Sequence, residues 1–207
     1  MQKTRPIETY YNGYRFRSRL EARWAVFFDS AFIDYQYEPE GYVLSDGNCY
    51  LPDFYLPLFH MFVEIKPSDA TDDVVYEARS KLEKLYKSDL FAEEGKGITV
   101  ALFQGDPMDS VDLIYCKGKC KNKYKNEWHP MAFKKGVFGE HNGVKYRFKR
   151  HETIISVYGE ENEIYGTSAY DCNSRLINDN EIVGCLSTFR NAKLKARQAR
   201  FEFGERG

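Results

Sequence analysis

No stretch of the 207-residue chain is long and apolar enough to span a membrane. The first residues are polar and charged, without the apolar core of a secretory leader, and the cysteines number five, an odd count. These features predict a cytoplasmic protein with reduced thiols and no membrane partner. No Gly-rich phosphate loop occurs: Gly136, Gly139 and Gly143 are not followed by Lys-Ser/Thr. The cysteines lack the two-plus-two spacing of a zinc ribbon. Cys116 and Cys120 have three residues between them, His129 follows, and Cys172 and Cys185 come much later, so structural Zn²⁺ is not expected. None of the four histidines, His60, His129, His141 and His151, has neighbours that suggest a general base. Net charge is −1, which excludes a uniformly basic protein that coats nucleic acid. Repeats and low-complexity linkers are absent as well.

What is present is a large apolar fraction and a segregated charge. At 43% hydrophobic and 16% aromatic residues, the chain can bury a sizeable core, and most of its aromatics are expected inside it. The start is basic (Lys3, Arg5, Arg15, Arg17, Arg19, Arg23), residues 29 to 94 are acid-rich, 117 to 150 basic, 152 to 181 acidic, and 190 to 200 basic. Such patches can hold a phosphate backbone locally in a molecule that is neutral overall.

The periodicity divides the chain into three parts. Residues 1 to 17 form an arm in which Tyr10, Tyr11, Tyr14 and Phe16 alternate with Arg15 and Arg17 around Gly13. It either contacts nucleic acid or packs as a short hairpin on the first helix. That helix runs from Ser18 to about Phe32. Ser18 and Glu21 make a capping box, and Leu20, Trp24, Phe27, Phe28 and Ala31 make the apolar stripe. Strands are predicted at Tyr35 to Glu38, Tyr42 to Leu44, around Asp53, and at Met61 to Lys66. A helix follows from Thr71 to Phe91, with Val74, Val75, Ala78, Leu82, Leu85 and Tyr86 buried, and ends at Gly95 and Gly97. Ile98 to Phe103 is a continuous apolar run, the mark of a buried central strand. Residues 18 to 105 thus form an α/β core in the order helix, three strands, helix, strand. Residues 106 to 207 form an accessory α+β region. It ends in a basic helix capped by Ser187 or Thr188, with Ala192, Ala196 and Ala199 on its packing face.

The chemistry concentrates in Tyr50-Leu51-Pro52-Asp53-Phe54-Tyr55-Leu56-Pro57 and Met61-Phe62-Val63-Glu64-Ile65-Lys66. Along the second strand Phe62, Glu64 and Lys66 share one face, expected to be polar, and Val63 and Ile65 the other. A hairpin with Leu58 and Phe59 at its tip sets Asp53 directly opposite Glu64, with Cβ atoms about 5 Å apart. Two opposed carboxylates repel unless something neutralises them, and a hard divalent cation with oxygen ligands does so. Such a cation polarises phosphoryl oxygens and acidifies water, and a lysine beside it stabilises a developing pentavalent phosphate. The pattern predicts phosphodiester hydrolysis.

At these residues the chain resembles the PD-(D/E)XK nuclease superfamily, with the restriction-endonuclease-like fold. Pro52-Asp53 and Glu64-Ile65-Lys66 supply the motif, and Glu21 stands where the superfamily carries a helix glutamate. From Tyr14 to Pro67, and again at Ala199 to Glu205, the chain is similar to small nucleases of phages and prophages and, over the first stretch, to cleavage subunits of transposons. The resemblance implies a mixed sheet flanked by helices, with Asp53, Glu64 and the Ile65 carbonyl as ligands of Mg²⁺ or Mn²⁺. It also implies Lys66 as catalytic lysine and Glu21 as a ligand of a second metal or of water. DNA is the implied substrate, in a bacterial host cell, with a homodimer or a protein partner left open. The expected activity is a phage-type DNA endonuclease. The rival readings are a non-enzymatic binding protein on the same fold and a strand-cleaving subunit of a recombination complex. Positive charge for the substrate is expected from Arg15, Arg17, Arg19 and Arg23, with residues 117 to 135 and the final helix as second candidates.

Overall fold

A computed structural model describes residues 6–88, 98–120, 123–135, 139–141, 144–146, 153–158, 164–167 and 186–201. It shows a mixed α/β protein whose mixed sheet carries helices on both faces. The chain opens with strands β1 (Thr9–Tyr11) and β2 (Tyr14–Phe16), joined by Asn12 and Gly13. Both turn residues have positive φ, 45° and 82°, as a two-residue hairpin turn requires. Of the two alternatives for this arm, it is thus a hairpin. Its inward residues Thr9 and Phe16 are buried.

Helix α1 (Arg19–Ala31) begins at Ser18, whose side chain accepts the Glu21 N–H, as the capping box predicts. It ends at Phe32 in the left-handed conformation. Burial extends well beyond the expected stripe: Glu21, Ala22, Ala25 and Val26 are buried too. The reason is that α1 is covered on several sides at once, by the sheet, by β1–β2 and by the C-terminal helix α3 (Leu186–Gln198). Helix α3 presents Phe189, Ala192 and Ala196 to that contact, and the Phe189 ring lies tilted against Phe27 with centroids 6.2 Å apart. The small-residue face is as predicted. The cap is not, because Ser187 and Thr188 already lie in the first turn.

Strands β3 (Gln36–Tyr37), β6 (Phe54–Leu56), β7 (Met61–Lys66) and β8 (Thr99–Gln104) lie side by side in one sheet. Between β3 and β6 the chain makes a separate two-stranded ribbon, β4 (Tyr42–Val43) and β5 (Cys49–Tyr50). The β6–β7 register is the predicted one, with Phe54 opposite Val63 and Leu56 opposite Met61. The connection differs in detail. Pro57–Phe59 form a 3₁₀ turn closed by His60 at φ 46°, and Phe59 is buried rather than at an exposed tip. Helix α2 (Asp72–Tyr86) follows, and β8 returns parallel to β7. Ala78, Leu82 and Leu85 of α2 are buried as expected, but Val74 is exposed. The helix ends at Tyr86, with Lys87 as its cap, short of the expected Phe91; Gly95 and Gly97 lie outside the described residues.

Val63, Ile65, Ala101 and Phe103 pack towards α1, and Phe62, Val100 and Leu102 towards α2. Burying a phenylalanine such as Phe103 stabilises by about 1.5–3 kcal/mol. The Phe62 face, expected to be polar, is therefore a second core under α2, because helices cover both sides of the sheet. The sheet also does not stop at residue 105. Strands β9 (Val111–Cys120), β10 (Lys123–Lys135), β13 (Thr153–Tyr158) and β14 (Ile164–Thr167) extend it to eight. A small ribbon of β11 (Gly139–His141) and β12 (Val144–Tyr146) stands apart from it. Among the described residues no helix is long and apolar enough to cross a membrane.

Candidate metal centre

The candidate residues gather where β7 and β8 end and α1 begins. In an open sheet the carboxyl ends of parallel strands are where ligands bind. Each side chain has a local reason for its place. Asp53 sits in a bend immediately before β6, next to Phe54, whose partner Val63 adjoins Glu64 on β7, and its carboxyl lies within the field of Glu64. Its backbone carbonyl accepts the Glu38 N–H at 2.9 Å, which prolongs the β3–β6 ladder. Its side-chain Oδ2 accepts the Ile65 N–H at 2.7 Å. Glu64 gives Oε2 to the Tyr50 hydroxyl at 2.6 Å and Oε1 to the Lys66 ammonium. The same ammonium reaches the Ile65 carbonyl at 3.2 Å.

Asp53 is 7% exposed and Glu64 8%. Burial, followed by the field of Glu64, holds the Asp53 carboxyl well above the usual carboxylate range. The charge of Lys66 opposes this and that of Glu21 adds to it. For Lys66, burial alone lowers the pKa, but the negative fields of Glu64 and Asp53 outweigh it and the ammonium stands above its ordinary value. A lysine held charged in this way acts as a point charge and not as a proton acceptor.

No protein-family model, curated protein or solved structure matches this chain.

The donor set fits a hard divalent cation. Asp53, Glu64 and the Ile65 carbonyl offer oxygen only, and the Lys66 ammonium already sits as a positive charge on two of those groups. Among the described residues no group of three or more His, Cys, Asp and Glu is placed to hold a metal. Two carboxylates and a carbonyl suit Mg²⁺, which keeps several waters and commonly uses one or two carboxylates.

Glu21 stands apart from that donor set. Its Oε2 accepts the Tyr37 hydroxyl at 2.6 Å and the Arg17 N–H at 3.2 Å, and its Oε1 accepts the Ser18 hydroxyl at 2.7 Å. Oε2 thus has both lone pairs engaged, and Oε1 has one left. The field of Glu21 still reaches Asp53 and Lys66.

The four arginines do not form one open cationic face. Arg15 pairs with Glu8, Arg17 with Glu38, and Arg23 with Asp106 at 3.1 Å. Arg19 is half-buried on α1. Arg23 departs from the expectation of positive charge offered to substrate, because the β8–β9 turn folds back against it. Trp24 Nε1 donates to the Gly105 carbonyl at 3.0 Å in the same turn. Burial lowers the Arg17 pKa, but the field of Glu38 and, more weakly, that of Asp53 raise it above its ordinary value. Sequence reasoning missed Tyr37 and Tyr50. Nothing but their position near the motif marks them, since hydroxyl contacts across strands leave no periodic signal. Cys116 and Cys120 lie along one strand, about 13 Å apart by the rise of four residues. Cys172 and Cys185 fall outside the described residues.

Proposed function

We propose that this chain is a divalent-metal-dependent nuclease of the PD-(D/E)XK type, with DNA as substrate, most simply a phage-type endonuclease. The observation that carries the reading is the arrangement of Asp53 and Glu64 as buried, mutually interacting carboxylates with the Lys66 ammonium beside them. Burying two like charges is costly, and a hydrolytic metal site gives that cost a purpose. With the separate β4–β5 ribbon set aside, the order α1, β3, β6, β7, α2, β8 also supports it, since it matches the helix, three strands, helix, strand expected of a restriction-endonuclease-like core.

Asp53, Glu64 and the Ile65 carbonyl would hold Mg²⁺ or Mn²⁺. When bound, such a cation supplies charge for the phosphoryl oxygens and acidity for the attacking water. Lys66 stabilises the charge that develops on the scissile phosphate. Glu21 fixes the start of α1 and, through its remaining lone pair, orients water at the rim. Arg17 meets the phosphate backbone next to Asp53, at the expense of its contact with Glu38.

The test is purified protein with Mg²⁺ or Mn²⁺ on linear duplex, single-stranded, nicked and branched DNA and on RNA, with Asp53→Asn as control. Cleavage that needs both the metal and Asp53 is the expected result. Metal binding without cleavage of any of these substrates would instead favour a binding protein or a subunit that cuts only in a complex.

A further inference from the structure

We infer that Tyr50 is a positioning residue that fixes which oxygen of Glu64 is offered to the cation; this rests on the metal site proposed above. Tyr50 is 5% exposed, and its ring lies in the core with Leu44, Phe62 and Leu82. Its hydroxyl is 2.6 Å from Glu64 Oε2. A phenol keeps its proton at neutral pH, so it donates here and the carboxylate accepts. Oε2 is thereby engaged by a group that cannot move without disturbing the core. Oε1 remains, and it is the atom that carries the Lys66 ammonium.

Asp53 is divided in the same way: the Ile65 N–H takes Oδ2. Each carboxylate thus commits one oxygen to a buried hydrogen bond. A carboxylate held in this manner is fixed in rotation, and its free lone pairs are aimed before the ligand arrives.

The placement of Tyr50 is itself secured. It ends β5, pairs with Tyr42 across the β4–β5 ribbon, and stands three residues before Asp53. The turn of that ribbon has Gly47 at φ 80° and is tied to α2 by Lys84 Nζ on Asp46 at 2.6 Å. One short segment therefore delivers both a ligand and the hydroxyl that orients the other ligand.

The test is Tyr50→Phe, which keeps the ring and removes only the hydroxyl, read first by Mn²⁺ titration followed by electron paramagnetic resonance, without nucleic acid. Thermal unfolding checks that the variant is folded. Mn²⁺ affinity is expected to fall about 10–100-fold, the usual loss when a group orienting a metal ligand is removed. KM for DNA is expected to be unchanged. Combined with Glu64→Gln, Tyr50→Phe is expected to cost nothing further, since its effect passes through that carboxylate. A folded Tyr50→Phe with wild-type Mn²⁺ affinity overturns the inference, as does an equal loss of affinity in the Glu64→Gln background. Wild-type protein that binds Mn²⁺ but cuts nothing sinks the nuclease reading alone, and the hydroxyl is then judged on affinity. Wild-type protein that binds no Mn²⁺ removes the metal site and this inference together.

Discussion

The side chain of Asp53 is bonded to the backbone N–H of Ile65, the residue between Glu64 and Lys66. This single contact locks the two halves of the motif together across the strands. It also shows why spacing alone is not enough. Asp53 lies beyond the last paired residue of β6, and a side-chain bond replaces the missing ladder there.

Asp53→Asn tests the electrostatic cost of the site. The folded Asp53 carboxyl has a raised pKa, so the folded chain keeps a proton that the unfolded chain releases. Stability from this group is thus full below the unfolded value, about 4, and declines as pH rises above it. In chelator, Asp53→Asn is expected to melt above wild type at about pH 8, with the gap closing towards about pH 4. Calorimetry at several pH values checks this, and an equal gap at every pH would refute it.

Lys66→Ala is expected to cut DNA roughly a hundredfold more slowly, on the scale of a lost preorganised donor. The Lys66 ammonium occupies Glu64 Oε1 and Ile65 O, the atoms offered to a cation. The variant should therefore bind Mn²⁺ more tightly than wild type while working less well. Titration of the metal alone, beside single-turnover cleavage, separates the two effects. A loss of both would place Lys66 in holding the site together instead.

Arg17→Ala and Arg23→Ala are expected to part company. Arg17 lies within the field of Asp53, and its removal should lower the salt slope of DNA binding by about one. Arg23 is held by Asp106, so its removal should leave the slope alone and cost up to about 1 kcal/mol of stability. Fluorescence anisotropy across a salt series and thermal melts decide between them. Equal slope changes for both would restore the idea of one cationic face.

Trp24→Phe probes how the turn after β8 is held. The indole N–H bonds to Gly105 O, and Gly105 N–H bonds to Lys66 O at 2.8 Å. Gly105 has φ 101°, so no other residue fits that bend well. Losing the indole bond should cost about 1 kcal/mol, plus a packing loss, and should loosen the strand end that carries Lys66. Hydrogen exchange at Gly105 is the direct readout; unchanged protection there would show that the turn holds itself.

Much of this architecture was legible because local signals were strong. Ser18 three residues before Glu21, the alternation around Glu64 and the apolar run at Val100 to Phe103 each specify one element. The partners of these elements were harder to read. That Phe62 faces a helix, that Phe59 tucks under the turn, and that Arg23 meets Asp106 all depend on chain segments distant in sequence. The site divided in the same way. The motif residues were legible in order and register, whereas the tyrosines on Glu21 and Glu64 were not, since a buried tyrosine looks like any other core aromatic until its hydroxyl is placed.

The last described helix has a consequence for how the molecule is made. Phe27 is covered by Phe189, contributed by a part of the chain synthesised long afterwards. Until those residues emerge, α1 presents an uncovered apolar side to the cell, and contacts this distant in sequence form slowly. Residues 18 to 105 expressed alone would keep that side bare and should self-associate. The motif-bearing segment is therefore short in sequence, but its solubility depends on a helix more than eighty positions beyond its end.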